Sequence, residues 1–260
     1  MSQYNPNQDL LFDEVGAELA QACHQPDSEI LVGVLVSHLV DPTDSISDIQ
    51  ATIDSLFARV SATSAEALLN WFRENGFAEQ NPTTVTAEYS SLKYAVEHKT
   101  GIPIARGLIL IGAARANGLK SFGLNFPGHF LVRIEDHVVD PLGCSVIEME
   151  RFRNKFDVSS PTSPQAVALR MLNNLKALAL QENDITRALD IIDVQARLAH
   201  DRETQSALLY ERGELWSRLG AIGAAKDAFL KCAEICPHPE LAEKARGQAG
   251  RIDTGSQTFH

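Results

Sequence analysis

The sequence predicts an α+β fold in three parts: N-terminal helices, a small core that sets a buried helix against an antiparallel sheet, and a C-terminal helical module. Three observations lead there. Apolar residues recur at helical spacing from residue 9 to about 76. Residues 101–141 then switch to a Pro-started, Gly-stopped helix followed by short strand-like runs. From about Pro164 onward the helical period returns.

In the first part, Leu10, Leu11, Val15, Leu19 and Ala22 fall on one helical face, and Ile49, Ile53, Leu56, Phe57 and Val60 on another. Asp41-Pro42 breaks the pattern between them. A further helix runs from Ser64, a suitable N-cap, to Glu74, with Gly76 as its stop. In the middle part a helix over Ser91–Lys99 stops at Gly101. Pro103 then opens a second helix, Ile104 to Asn117, which Gly118 ends. Proline suits a first turn because the N–H it lacks would be orphaned there anyway. Phe122–Phe126, His129–Ile134 and His137–Val139 read as strands, with Glu135-Asp136 as a tight hairpin turn.

The third part follows a Pro/Ser-rich linker at residues 158–165. Residues 207–237 fit the tetratricopeptide pattern: Gly213 and Trp216 in a first helix, Leu219-Gly220 at its end, Ala225 and Phe229 in a second, and Pro237 closing it. Leu172, Leu175, Ala188 and Ile192 form a weaker preceding copy, and a helix over Glu240–Arg251 caps the stack. A plain helical bundle is the alternative. The expected domains are 1–157, helices plus core, and 164–252, the repeats.

A formal charge of −11, with no local Lys/Arg cluster, disfavours nucleic acid and anionic membrane as partners. Four cysteines without disulfide-framework spacing point to a reducing compartment. The start, MSQYNPNQDL, lacks the basic and apolar regions of a signal peptide. The most apolar run, Ile102 to Ala114, contains Arg106 and is too short to span a bilayer. The expected location is the cytoplasm.

Candidate chemistry concentrates in residues 101–141. In a hairpin turning at 135–136, Ile134 faces His137 and Asp140 falls opposite Leu131, which shares a face with His129. His129 and Asp140 then become diagonal neighbours, placed for a carboxylate to orient an imidazole. A nucleophile at a helix start, then His, then Asp is the order found in transglutaminase-like and papain-like folds, where the helix terminus and the imidazole activate a cysteine. In transglutaminase-like cores that cysteine lies two residues after a glycine. Here the glycine is Gly101 and the cysteine position holds Pro103, which carries no nucleophile.

The stretches GIPIARGLILIGAARANGL, GLNFPGHFLVR and VVDP, with MLNNLKAL at 171–178, closely resemble the SirB-type transglutaminase-core-like proteins, often labelled invasion regulators. The resemblance covers most of the chain, from the N-terminal helices through the repeat-like tail. It implies a transglutaminase-like α+β core with a helical repeat module, in a family treated as regulatory or of unknown activity. It also implies that proline in place of cysteine is usual in the family. The chain departs from the family before the core, where it reads AEQNPTTVTAEYSS, and at Leu142, where phenylalanine is common.

The degenerate triad positions are therefore Pro103, His129 and Asp140, serving to brace the hairpin, to bind a ligand or peptide, or to catalyse. The enzymatic alternative is a cysteine-type amidase, acyltransferase or protease with Cys144 as a displaced nucleophile. Ser90 and Ser91 are weaker nucleophile candidates, more simply read as helix caps. Cys232 and Cys236, four residues apart with His238 just after, lack the second ligand pair that zinc needs and fit repeat packing better. No metal or cofactor is expected. The predicted activity is protein–protein interaction or regulation, with a protein or peptide partner and without thiol catalysis.

Overall fold

The N-terminal part folds into α1 (Pro6–Cys23), α2 (Glu29–Val40), α3 (Ile46–Phe57) and α4 (Ala65–Glu74), in a computed structural model that describes residues 6–78, 84–126, 128–148 and 160–256. Capping explains the starts of two of them: the Ser45 side chain accepts from the Asp48 amide, and that of Ser64 from the Ala67 amide. Gly76 leaves α4 with a φ of 80°. The periodic pattern does not reveal α2. Most of EILVGVLVSHLV is buried, so no polar face marks the helical period.

In the middle part, Ser91 caps α5 (Leu92–His98), which ends at Lys99 in a left-handed conformation (φ 59°), as the expected span has it, with Lys99 and not Gly101 making the stop. Next comes α6 (Pro103–Ala116), with every residue from Ile104 to Ala114 buried. Four antiparallel strands follow in the order β1 (Ser121–Phe126), β2 (His129–Ile134), β3 (His137–Asp140) and β4 (Ser145–Ile147). The hairpin register is the expected one, with Ile134 opposite His137. Strand β4 was not expected: three residues give too little alternation to read.

Glycines bring the buried helix and the sheet together around one ring. A Cβ added at Gly107 of α6 would lie 2.7 Å from the Phe130 ring, and one at Gly123 of β1 would lie 2.5 Å from it. Phe130, 1% exposed, therefore fills space that two missing side chains leave.

The remaining helices are α7 (Pro164–Gln181), α8 (Ile185–Leu198), α9 (Arg202–Arg218), α10 (Ile222–Ile235) and α11 (Pro239–Ser256). The chain divides into two compact units. One is Ala17–Leu175; the other joins the described residues up to Gly16 to those from Lys176 onward. Within the first unit, the Thr162 amide donates to the Gly123 carbonyl at 2.9 Å, and Arg170 of α7 donates to the Phe126 carbonyl at 2.8 Å. Within the second, Gly213 of α9 lets the helix approach the Phe229 ring of α10, where an added Cβ would meet ring atoms at 2.7 Å. Tyr210, Cys232, Ala245 and Ala249 pack in the same cluster, with Trp216 against it.

The architecture is thus the mostly helical α+β fold that the sequence predicts. Of the sequence stretches singled out above, residues 1–5, 79–83, Pro127 and residues 149–159 lie outside the described residues.

Candidate functional site

One cleft of about 680 Å³ collects Pro103, His129 and Asp140, the three positions singled out in the sequence. Pro103 contributes the first turn of α6, His129 the start of β2 and Asp140 the end of β3. Leu142 and the consecutive residues Ser145 to Glu148 complete one side. That volume lies within the range of small-ligand and side-chain pockets.

The expected orienting dyad is not formed. Asp140 Oδ1 accepts from the Leu142 amide at 2.9 Å, and Oδ2 lies 3.4 Å from the Gly143 amide, so the carboxylate closes its own turn. Among the described residues no hydrogen bond joins Asp140 to His129, whose side chain is exposed. The reason is local. Pro141 starts a tight turn, and the Leu142 and Gly143 amides that follow it point back at the Asp140 carboxylate.

That turn, residues 141–144, is also held from behind. Arg106 of α6, 4% exposed, donates to the Leu142 carbonyl at 2.9 Å, and Arg73 of α4 donates to the Cys144 carbonyl at 2.6 Å. Burial pushes the Arg106 guanidinium below its ordinary value, against the opposing pull of Cys144 and Asp140. The cation stays charged, so its hydrogen bond to Leu142 is a charge-assisted one.

Cys144 is 1% exposed. Its sulfur lies 3.8 Å from the carbonyls of Phe77 and Pro141 and 4.0 Å from Arg106 Nη2. It lines a separate cavity of about 10 Å³ with Phe72, Phe77 and Arg106, and is not among the residues lining the His129 cleft. Burial raises the thiol pKa, which the two arginines only partly offset.

The other candidates resolve into packing and capping. Ser91 caps α5 through the Tyr94 amide, and Ser90 is fully buried, its hydroxyl without a partner among the described residues. Cys232 is buried, and Cys236 Sγ contacts the His238 carbonyl at 3.4 Å. Among the described residues no group of three or more His, Cys, Asp or Glu side chains could hold a metal ion, and no helix is long and apolar enough to cross a membrane.

Sequence reasoning missed Arg106, Arg73 and the β4 residues. Arg106 did give a signal: a lone arginine inside an otherwise apolar helix implies a buried partner. Arg73 and the wall formed by residues 145–148 depend on tertiary placement and leave no local pattern.

Residues 43–179 match the family described as the transglutaminase-like superfamily. A UPF0162 protein of Xylella fastidiosa strain 9a5c is 25% identical over 196 residues, covering 68% of this chain and 69% of the relative. Its counterpart from strain Temecula1 is 24% identical over the same shares. A UPF0162 protein of Pseudomonas aeruginosa is 33% identical over 90 residues, 34% of this chain and 33% of the relative. No solved structure matches the chain.

Proposed function

The chain belongs to the transglutaminase-like superfamily, and on that premise we propose that it is a non-catalytic member that binds a protein or peptide partner through the cleft over Pro103. The observation that carries this reading is the composition of the cleft. It holds His129 and Asp140 beside a proline, and the Asp140 carboxylate is bonded to its own turn. Acyl transfer needs an attacking atom and a base oriented toward it. Neither requirement is met by these three residues.

The enzymatic alternative through Cys144 has little support, since that thiol is buried, has a raised pKa and lines another cavity. A regulatory, SirB-type role accords with a site of this kind. So does a tetratricopeptide-like tail, given the close approach of α9 and α10 through Gly213. The excess of acidic residues favours a cytoplasmic protein partner over nucleic acid or an anionic membrane.

The deciding experiment incubates the purified protein with glutamine-, thioester- and peptide-type substrates. No turnover is expected. Turnover in the wild type that disappears in His129→Ala overturns the non-catalytic reading.

A further inference from the structure

The sheet has two outer edges, and they differ. In an antiparallel ladder each residue sends its N–H and C=O to the same side, and successive residues alternate sides. The Glu135 amide donates to the Lys120 carbonyl at 2.8 Å, which fixes the odd-numbered residues of β2 as those bonded to β1. By alternation, His137 and Val139 of β3 then bond to β2, while Val138 and Asp140 bond to Ile147 and Ser145 of β4.

On β1 the outward residue Gly123 is already covered, its carbonyl taken by the Thr162 amide. On β4 the outward residue is Val146. It is 46% exposed, and among the described residues its backbone N–H and C=O have no partner.

The cleft follows this open edge. Side chains along a strand alternate between faces, yet Ser145, Val146, Ile147 and Glu148 all line the same cleft as His129 and Asp140. Four consecutive residues can do so only where the cleft runs along the strand's edge. Among the described residues that line it, two carry carboxylates (Asp140 and Glu148) and none is a lysine or arginine.

We infer that an extended segment of a partner protein, carrying a lysine or arginine, docks by adding a strand to the outer edge of β4. Its backbone pairs with the N–H and C=O of Val146. Its side chains on one face enter the cleft over Pro103, and the cation reaches Glu148. Strand addition of this kind draws affinity from main-chain hydrogen bonds and specificity from pockets for alternate side chains. A three-residue strand is too short to invite edge-to-edge self-association, so the cleft beside it sets the register. This inference rests on the partner-binding reading above and names the geometry by which the same site works.

The test selects random linear peptides displayed on phage against the intact chain and measures the affinity of an enriched peptide. Val146→Pro is the informative variant. It removes an outward N–H while leaving the β3–β4 ladder, which Ser145 and Ile147 carry, in place. Enriched peptides should contain lysine or arginine, slow hydrogen exchange at the Val146 amide, and bind Val146→Pro about tenfold more weakly, the worth of one to two hydrogen bonds. N-methylation of the peptide on its pairing side repeats the test without altering the protein.

Equal binding to wild type and Val146→Pro, combined with loss on filling the cleft by Leu142→Trp, overturns strand addition and leaves cleft binding standing. Binding indifferent to both substitutions overturns both readings.

Discussion

At the scale of single residues, the site depends on where side chains are absent as much as on where they are present. Phe130 is packed between Gly107 and Gly123, so the start of β2, with His129 beside it, is fixed against α6 by a ring lodged over two bare backbones. Gly107→Ala adds a methyl group 2.7 Å from that ring in a helix that otherwise favours alanine. The overlap should dominate, lowering stability by about 1–3 kcal/mol. Urea unfolding reads this as a lower midpoint with an unchanged slope; an unchanged midpoint means the ring can step aside. Pro103, His129 and Asp140, singled out in the sequence, do line one cleft. Their chemistry was not legible there. The hairpin register places Asp140 correctly, but only the turn after it decides that its oxygens bond to Leu142 and Gly143.

At the scale of elements, helices with caps and strands with alternation were readable, and elements without those signals were not. Helix α2 is buried almost all round and β4 has three residues, so neither presents a period to detect. The most consequential unread element is the turn joining β3 to β4. It is held by Arg106 from α6 and Arg73 from α4, residues far from it in sequence. Arg106→Met keeps an apolar stem while depriving the Leu142 carbonyl of its donor. The expected cost is about 1 kcal/mol, toward the low end of the penalty for leaving an acceptor unsatisfied because the Leu142 carbonyl is only part-buried. The loosened turn should also expose Cys144, so native-state labelling by a thiol reagent should be faster than in wild type. Stability and labelling both unchanged would show that Arg73 and Asp140 suffice to hold the turn.

At the scale of the whole molecule, the formal charge of −11 and the short-range geometry of the cleft make separable contributions to binding. A field from many surface carboxylates acts over distances that salt shortens, from about 10 Å at 0.1 M to about 3 Å at 1 M ionic strength. Main-chain hydrogen bonds at β4 act at contact and should be much less sensitive to salt. Raising ionic strength across that range should therefore weaken the basic peptide severalfold, largely through a slower association rate. The loss caused by Val146→Pro should persist at both ends of the range. Glu148→Lys places a cation at the cleft, so it should reduce affinity and flatten the salt dependence together. Stopped-flow association at several salt concentrations, for wild type and both variants, separates the two terms. If the Val146→Pro penalty disappears at high salt, the proline has acted through charge placement and no strand is being added. If affinity is unaffected by salt while that penalty remains, the excess of acidic residues has no part in choosing the partner, and the cleft and its open edge alone select the peptide.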